Sequence, residues 1–494
     1  MRDHFLSRDR YISKKPIFLE SFEKRKMAAM LLMAFVITLT YEILRPIKTA
    51  LIVTAAESGA TIIPYLRTWV VLPSSILMSV FLSKLSRSFP RNQVFCFFLF
   101  FFLIFFLVFA TVLYPYQETF EAKNFSEFLS SQSILKIKEL LFIVRYWHLS
   151  LFYTFSELWA TIILFILFWG YVNEITPMDD AKKIYGTLIL AGNSSAILAG
   201  VLSQLFSSSS FHFFVPFGKD AWHKTVYMTL IFVLAIGTSL FFIFAYLNNL
   251  ADHKTVKSNI KHGRNIKSLY KSFYLVLLAL IVIPYNISYS LTEVLWTSKL
   301  HQLYPDPTQM SAYIGKVSSL TGVFSILFAL FVYRQVIQQF GWTITALITP
   351  FIWLVTGAAF LLSIIFEENF FYQICISFLG LSPLAFIVLI GAVQLSLGKA
   401  SEYSLFDQTK EMAFIPLSPM EQRTGKVWIE GVVTRIGKLS GGLIYQILLS
   451  VSYRENLVVC ILCIFLVVVF SWIISVRALG NHIDGNSSHT TKLM

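Results

Sequence analysis

Apolar residues in this chain run in long stretches that are separated by shorter polar segments. The hydrocarbon core of a bilayer is about 30 Å thick, so a helix that crosses it needs roughly 20 apolar residues. Counting from the N-terminus gives about twelve such stretches, each roughly 20 to 30 residues long. They begin near Met27, Thr61, Gln93, His148, Tyr185, Thr225, Lys271, Ser311, Trp342, Phe371, Val427 and Asn456. The pattern predicts an all-α membrane protein with twelve transmembrane helices.

A basic, hydrophilic stretch at residues 248–271 divides the predicted helices into two groups of six. The predicted segments are a basic cytoplasmic tail (1–26), an N-terminal six-helix half (27–247), a basic cytoplasmic linker (248–271), a C-terminal six-helix half (272–477) and a polar cytoplasmic tail (478–494). Membrane proteins built from two such halves often hold a ligand at their interface, near the midplane of the bilayer.

The two predicted halves contain a weak internal repeat. Lys48 in the first helix and Glu293 in the seventh are 245 positions apart (293 − 48), so we expect them at similar depth. Further pairs recur at this offset or close to it: Gly192-Asn193 with Gly437-Lys438, and Tyr65 and Arg67 with Tyr313 and Lys316. Two halves with the same orientation in the membrane indicate a parallel repeat.

Composition agrees with a membrane protein. Hydrophobic residues make up 56% of the 494 positions and charged residues 14%, and the mean hydropathy is +0.68. The 48 Phe and 10 Trp fit lipid-facing surfaces and interfacial belts. Continuous apolar stretches of this length exclude a water-filled β-barrel, whose strands are short and alternate.

The formal net charge is +13, which raises the question of a nucleic-acid partner. If the N-terminus is cytoplasmic, the predicted cytoplasmic segments hold roughly 26 Lys and Arg and the external ones about 10, the bias that membrane topology requires. We therefore attribute the charge to topology and predict no nucleic-acid binding. Both termini are expected on the cytoplasmic side of a bacterial inner membrane.

The basic N-terminal tail contains Asp3, Asp9, Glu20 and Glu23, so it resembles neither a cleavable signal nor an acid-poor transit peptide. We expect it to remain on the mature protein. The four cysteines all lie in apolar stretches, where a thiol is a small packing residue. They predict no disulfide and no metal site.

Ionisable side chains within the predicted helices are the candidate functional residues. Each costs at least about 2.5 to 3.5 kcal/mol at the centre of a membrane and by default faces a polar cavity or a partner. The basic ones are Lys48, Arg67, Lys316, Arg435 and Lys438, and the clearest acidic ones are Glu157 and Glu293. A cavity with this positive balance favours a phosphorylated anion, because Lys and Arg form charge-assisted hydrogen bonds to phosphate.

The same charges have a structural alternative. Basic groups near helix ends can reach the lipid headgroups, and Glu42 and Arg45 could pair within one helix. Pro46, Pro284 and Gly192 interrupt predicted helices, which is tolerated where the gap faces protein or water. The sequence contains no Walker loop, metal-ligand cluster or catalytic triad, so we expect neither an enzyme nor an ATP-driven pump, and no cofactor.

Several blocks of sequence, in order along the chain, carry a family resemblance. They are Leu44-Arg45-Pro46-Ile47-Lys48, Val53-Thr54-Ala55 and Val71-Leu72-Pro73; Ser156-Glu157-Leu158-Trp159, Phe168-Trp169-Gly170 and Asn173-Glu174-Ile175-Thr176; Glu293-Val294, Trp296 and Tyr304-Pro305; Tyr403-Ser404-Leu405-Phe406-Asp407 and Ile415-Pro416-Leu417; and Gly437-Lys438 with Gly441-Gly442. From about residue 41 to 446 the chain resembles the ATP/ADP translocases of obligate intracellular bacteria and plastids. The resemblance implies a major-facilitator-like fold.

The resemblance also implies a substrate and its site. The charges on which transport depends in such carriers are similar to Lys48, Glu157, Glu293 and Lys438. With them, the predicted substrate-binding set comprises Arg67, Asn193, Lys316 and Arg435. The expected partners are a nucleotide and membrane lipid, with the chain acting as a monomer.

The residues around Lys48 depart from the family pattern. The family usually follows the helix-1 lysine with Asp, whereas Thr49 follows Lys48 here, and Pro46 stands where a polar residue is common. Two functions therefore remain open at this point: exchange of ATP and ADP, and proton-coupled import of a nucleotide or of NAD. The remaining alternatives are a carrier of another phosphorylated organic anion, such as a sugar phosphate, and a receptor or scaffold that transports nothing.

Overall fold

The structure is a computed structural model. It describes residues 17–55, 59–131, 137–176, 178–214, 216–250, 273–367, 380–414, 416–417, 421, 425–426, 428–451 and 456–491. The described residues are helices, turns and connecting segments, and they contain no β-strand. The expected all-α class is confirmed.

Eleven helices among the described residues are long and apolar enough to cross a membrane, by length and composition. They are α1 (Glu23–Ala55), α2 (Gly59–Ser88), α3 (Arg91–Leu113), α4 (Trp147–Asn173), α5 (Gly186–Phe206), α6 (Ala221–Leu250), α7 (Phe273–Leu303), α8 (Pro307–Val332), α9 (Gln335–Ile365), α10 (Pro383–Ala413) and α12 (Leu457–Ile483). Between the last two lies α11, a π-helical turn (Ile429–Val433) followed by an α-helix (Thr434–Val451). This helix contains Arg435, Lys438 and Gln446, which lower its hydropathy.

The tenth helix differs most from its predicted position. The expected start near Phe371 lies outside the described residues, and the helix that is described begins at Pro383. Ser382 caps it by accepting a hydrogen bond from the Ala385 backbone N–H at 3.2 Å, and proline fits the first turn because it has no N–H to leave unsatisfied. Since α10 extends to Ala413, it includes charged residues that the predicted helix did not.

Between α3 and α4 are three short helices that hydropathy alone does not predict: Gln117–Phe120, Lys123–Ser131 and Lys138–Arg145. They are too short and too polar to span a bilayer. The last one contacts α2, where the Thr61 hydroxyl donates to Glu139 at 3.2 Å.

Helix packing is similar in the two groups of six helices. Helix α1 packs against α4, α5 and α6, and α7 packs in the same way against α10, α11 and α12. This arrangement agrees with a parallel repeat. Residues 251–271 of the predicted linker lie outside the described residues, so the proposed boundaries stay a prediction.

Two tryptophans fix equivalent helix pairs. The Trp159 indole on α4 donates to the Ile37 carbonyl of α1 at 3.0 Å, and the Trp296 indole on α7 donates to the Val388 carbonyl of α10 at 3.0 Å. Both side chains are buried. A buried indole N–H needs such an acceptor, so these residues are structural in this conformation.

The groups meet along α5 with α8, α1 with α8, and α2 with α7 and α11. The α5–α8 contact depends on small residues. A Cβ at Gly200 would lie 2.2 Å from the Gly315 carbonyl oxygen, and one at Gly315 would lie 2.7 Å from the Ser203 Cβ. Small residues let membrane helices approach this closely.

We expect Gly200→Val to destabilise the protein by about 1 to 3 kcal/mol or more, because the added side chain would overlap the α8 backbone. The matched control is Gly186→Val on the same helix, where a Cβ would meet nothing within 4 Å. Thermal denaturation of the purified variants, followed by size-exclusion chromatography, measures the difference. Equal stability of the two variants would show that α5 and α8 do not pack this closely.

Candidate substrate site

Lys48 lies deep in α1 and is almost completely buried, with its side chain 2% exposed. Its Nζ is 2.6 Å from Oε1 of Glu157 on α4. The ammonium also lies over two tyrosine rings, 4.9 Å from the centroid of Tyr41 and 5.2 Å from that of Tyr153. A buried ammonium needs an anionic partner to offset its desolvation, and here the carboxylate and two ring faces provide it.

Glu293 on α7 is the centre of a second charged group. Its Oε2 accepts from Arg67 Nη1 of α2 at 2.5 Å, and its Oε1 accepts from the Tyr289 hydroxyl at 2.5 Å. Arg45 on α1 lies 3.9 Å from the same carboxylate and donates to the Tyr289 hydroxyl at 3.1 Å. The arginines belong to the first six helices and the carboxylate to the last six, so these ion pairs join the two halves.

The two groups are connected through Tyr153, whose hydroxyl accepts from Arg67 Nε at 3.1 Å. Charges from α1, α2, α4 and α7 therefore form one continuous network. The pairing expected within α1 is present but weak: Arg45 Nη1 is 3.7 Å from Glu42. Arg45 is thus shared between its own helix and α7.

Lys438 on α11 differs from Lys48 because its side chain is exposed. It is close enough to Glu157, Lys399 and Glu402 to interact with them electrostatically. The preceding residue allows this placement, because a Cβ at Gly437 would lie 2.9 Å from the Asn286 Cβ and 3.2 Å from the Ile283 Cα of α7. Exposure together with these neighbours means that Lys438 faces a solvent-accessible space between α4, α10 and α11.

Three predicted site residues lie outside this central group. Asn193 on α5 donates from Nδ2 to the Ser325 hydroxyl of α8 at 3.0 Å, so it takes part in the contact between halves. Lys316 is exposed on α8, beside Gly315, which packs on α5. Arg435 is half-buried on α11. Among the described residues, none of the three contacts the charges around Lys48 and Glu293, and their part in binding stays a prediction.

Lys399 and Glu402 of α10, which interact electrostatically with Lys438, were not among the site residues predicted from the sequence. The predicted tenth helix was placed to begin near Phe371, and a span of roughly 20 to 30 residues from there ends before Glu402 and includes Lys399 only at its greatest length. The repeat offset provides a signal that would have found one of them, because Glu402 lies 245 positions after Glu157 (402 − 157). Each glutamate also stands at or just before a π-helical segment, Ala160–Phe168 in α4 and Glu402–Phe406 in α10. Such segments are frequent at functional sites.

Solved structures with a similar fold are membrane transporters. A bacterial homologue of the iron transporter ferroportin, in an inward-facing state, has a TM-score of 0.59 at 14% sequence identity, with 92% of this chain and 98% of that chain covered. The xylose transporter XylE from E. coli has a TM-score of 0.52 at 9% identity, with 91% and 97% covered. These likenesses establish the major-facilitator-like fold and say nothing about the substrate.

Sequence comparison identifies closer relatives. The chain is 36% identical over 473 residues to ADP,ATP carrier protein 1 of Chlamydia muridarum, covering 93% of this chain and 88% of that protein. It is 33% identical over 475 residues to the chloroplastic ADP,ATP carrier protein 2 of Arabidopsis thaliana, covering 95% of this chain and 76% of that protein. The family model described as TLC ATP/ADP transporter matches residues 13–483. With this match across both halves and the charged network between them, the chain belongs to the TLC ATP/ADP transporter family.

Proposed function

We propose that this protein carries ATP and ADP across a membrane by exchanging one for the other. The observation that carries the proposal is the arrangement of Lys48, Lys438 and Arg67 around Glu157 and Glu293, between the two halves of the bundle. Basic groups in a site with little water attract a polyphosphate strongly. The ADP,ATP carriers of Chlamydia and Arabidopsis support the choice of nucleotide.

The acidic residues have a defined part in this proposal. In the empty carrier, Glu157 balances the charge of Lys48, and Glu293 balances that of Arg67 and Arg45. When a nucleotide enters, its phosphates compete with these carboxylates for the same donors. Because the ion pairs of Glu293 join the two halves, their exchange for phosphate contacts would couple binding to a movement of one half against the other.

Thr49 favours exchange over proton symport. It is half-buried next to Lys48 and provides no carboxylate that could balance that lysine or carry a proton. With Lys48 paired to Glu157, the empty site still contains the exposed ammonium of Lys438, which has no short ion pair among the described residues. Such a charge is costly to reorient within a membrane, whereas return with a bound anion relieves that cost. We also propose that the protein lies in a bacterial inner membrane with both termini in the cytoplasm, contacts lipid and acts as a monomer.

The decisive experiment uses proteoliposomes that contain the purified full-length protein. We expect uptake of labelled ATP when the lumen contains ADP or ATP, and little uptake when the lumen is empty. Collapse of a pH gradient should leave the rate unchanged. Rapid uptake into an empty lumen that stops when the gradient collapses would replace exchange with proton symport.

A competition panel tests the substrate in the same assay. ADP should compete with labelled ATP, whereas NAD or a sugar phosphate at equal concentration should compete much less. Stronger competition by either would assign the carrier to that anion. If no member of the panel is bound or transported, the chain acts as a receptor or scaffold.

A further inference from the structure

Lys399 is a basic residue within the apolar span of α10, and it has no close ion pair in the structure. Its Nζ lies 4.4 Å from the ring centroid of Tyr289 and 5.5 Å from that of Tyr403. Its hydrogen bond to the Tyr403 hydroxyl is long, at 3.4 Å, and its distance to the Glu402 carboxylate is 3.9 Å. Lys48, by contrast, is 2.6 Å from Glu157. Ring faces hold the Lys399 ammonium in position without using its N–H donors.

Glu402 is anchored elsewhere. Its Oε2, the oxygen nearest to Lys399, accepts a short hydrogen bond from the hydroxyl of Tyr285, a buried residue of α7. The carboxylate is therefore fixed by α7 rather than by the lysine. The Glu402 carboxylate lowers the free-energy cost of the positive charge of Lys399 within the apolar span. It leaves the ammonium able to donate hydrogen bonds to another anion.

The two halves contain corresponding groups. In the first half Lys48 lies over two tyrosine rings beside Glu157, and in the second half Lys399 lies over two tyrosine rings beside Glu402. The two glutamates are separated by the repeat offset of 245 (402 − 157). The lysines belong to different helices, α1 and α10, so the groups match in chemistry and not residue by residue. The two groups differ in one respect: Lys48 forms a short ion pair with its neighbouring glutamate, and Lys399 does not.

Lys438 is a second basic residue within electrostatic range of Lys399. Lys438 on α11 also interacts electrostatically with Glu402. The side chain of Lys438 is exposed, whereas that of Lys399 is partly exposed. The described structure thus holds one ammonium group on α10 and another on α11, and neither has an ion pair as short as that of Lys48. Because the two ammonium groups interact electrostatically, they repel each other, and a phosphate chain that contacts both would offset that repulsion.

We propose that Lys399 is a phosphate-binding residue that acts together with Lys438 and makes the carrier prefer nucleoside di- and triphosphates to monophosphates. This inference rests on the proposed function, because it concerns the same substrate. In this proposal, a chain of two or three phosphates contacts both lysines at once. A single phosphate can neutralise only one of them at a time, so its binding depends less on Lys399.

Equilibrium binding of labelled ATP, ADP and AMP to the purified full-length protein tests the proposal. We expect Lys399→Gln to weaken the binding of ATP and ADP by about tenfold or more and that of AMP by less than threefold. The matched control is Lys410→Gln, which removes the same charge from α10 at a residue paired with Asp407 at 2.8 Å. It should leave all three affinities unchanged.

A second variant protects the test against loss of folding. Combining Lys399→Gln with Glu402→Gln removes both charges and leaves no unpaired carboxylate, and it should show the same loss of preference for ATP and ADP over AMP. If the parent binds nucleotides and both variants keep its preference, the role of Lys399 is wrong while the proposed function stands. If the parent binds no nucleotide, the proposed function and this inference are both wrong.

Discussion

Lys48→Ala and Lys438→Ala should each reduce nucleotide uptake by at least tenfold while the protein still inserts into the membrane. A unit charge 4 Å from a phosphate is worth about 4 kcal/mol at an effective dielectric constant of about 20, and each 1.4 kcal/mol corresponds to about tenfold in affinity. Uptake of labelled ATP by bacterial cells expressing each variant, normalised to the amount of protein in the membrane, measures the effect.

The two substitutions should differ in their effect on stability. Lys48→Ala leaves the Glu157 carboxylate without its partner at 2.6 Å, so this variant should also unfold more easily, by about 3 to 5 kcal/mol. Adding Glu157→Gln should restore much of that stability without restoring transport. Lys438→Ala should cost little stability because the residue is exposed.

The control for both substitutions is Lys84→Ala, which removes an exposed charge near the end of α2. It should transport nucleotide at the parental rate. Parental uptake by both Lys48→Ala and Lys438→Ala would rule out the proposed site.

Glu293→Gln should shift the carrier away from the conformation described here and slow its turnover more than it weakens binding. The substitution removes the carboxylate that Arg67 contacts at 2.5 Å and Arg45 at 3.9 Å, both from the opposite half. Loss of one partner from a buried ion pair costs about 3 to 5 kcal/mol. This cost falls only on the conformation in which the two halves meet at Glu293, so the substitution shifts the population away from that conformation. A difference of about 3 kcal/mol changes the ratio of two conformations by more than about a hundredfold.

Cross-linking between the halves measures this shift. Trp69 on α2 and Gln446 on α11 are joined by a hydrogen bond of 3.1 Å between the ends of two long side chains. Cysteines at these two positions, in a variant without the native cysteines, should therefore be joined readily by a short bifunctional maleimide, which spans the length of the side chains that were removed. Glu293→Gln should slow that reaction strongly. The matched control is Glu121→Gln, because Glu121 pairs with Arg145 at 3.2 Å inside the first half and its loss should not change the cross-linking rate. Equal rates in the two variants would show that Glu293 does not hold the halves together.

Hydropathy was sufficient to establish that this chain is a helical membrane protein. The free energy of placing a helix in a bilayer depends on the composition of about 20 consecutive residues, which is a local property that can be read directly from the sequence. For the same reason, the sequence identified Lys48, Glu157, Glu293 and Lys438 as unusual, because each interrupts an apolar stretch. The family blocks around them added the expectation of a nucleotide carrier.

Tertiary structure decided which charges pair. Lys48 pairs with a carboxylate 109 positions away, and Arg67 with one 226 positions away, whereas Arg45 is 3.7 Å from its local neighbour Glu42. Spacing along one helix suggests only local pairs. The distant pairs depend on how α1, α2, α4 and α7 are rotated and how deeply they sit against one another.

The tenth helix illustrates the same division. Its apolar character was evident from the sequence, but its position along the chain was not. Glu402 lies beyond the predicted span and Lys399 lies at its far end, and neither was predicted as a site residue. Their environment depends on Tyr285 and Tyr289, which are more than a hundred positions earlier on α7. Composition over a short window determines whether a segment enters the membrane. Only contacts between distant segments determine which charges within it remain available to a substrate.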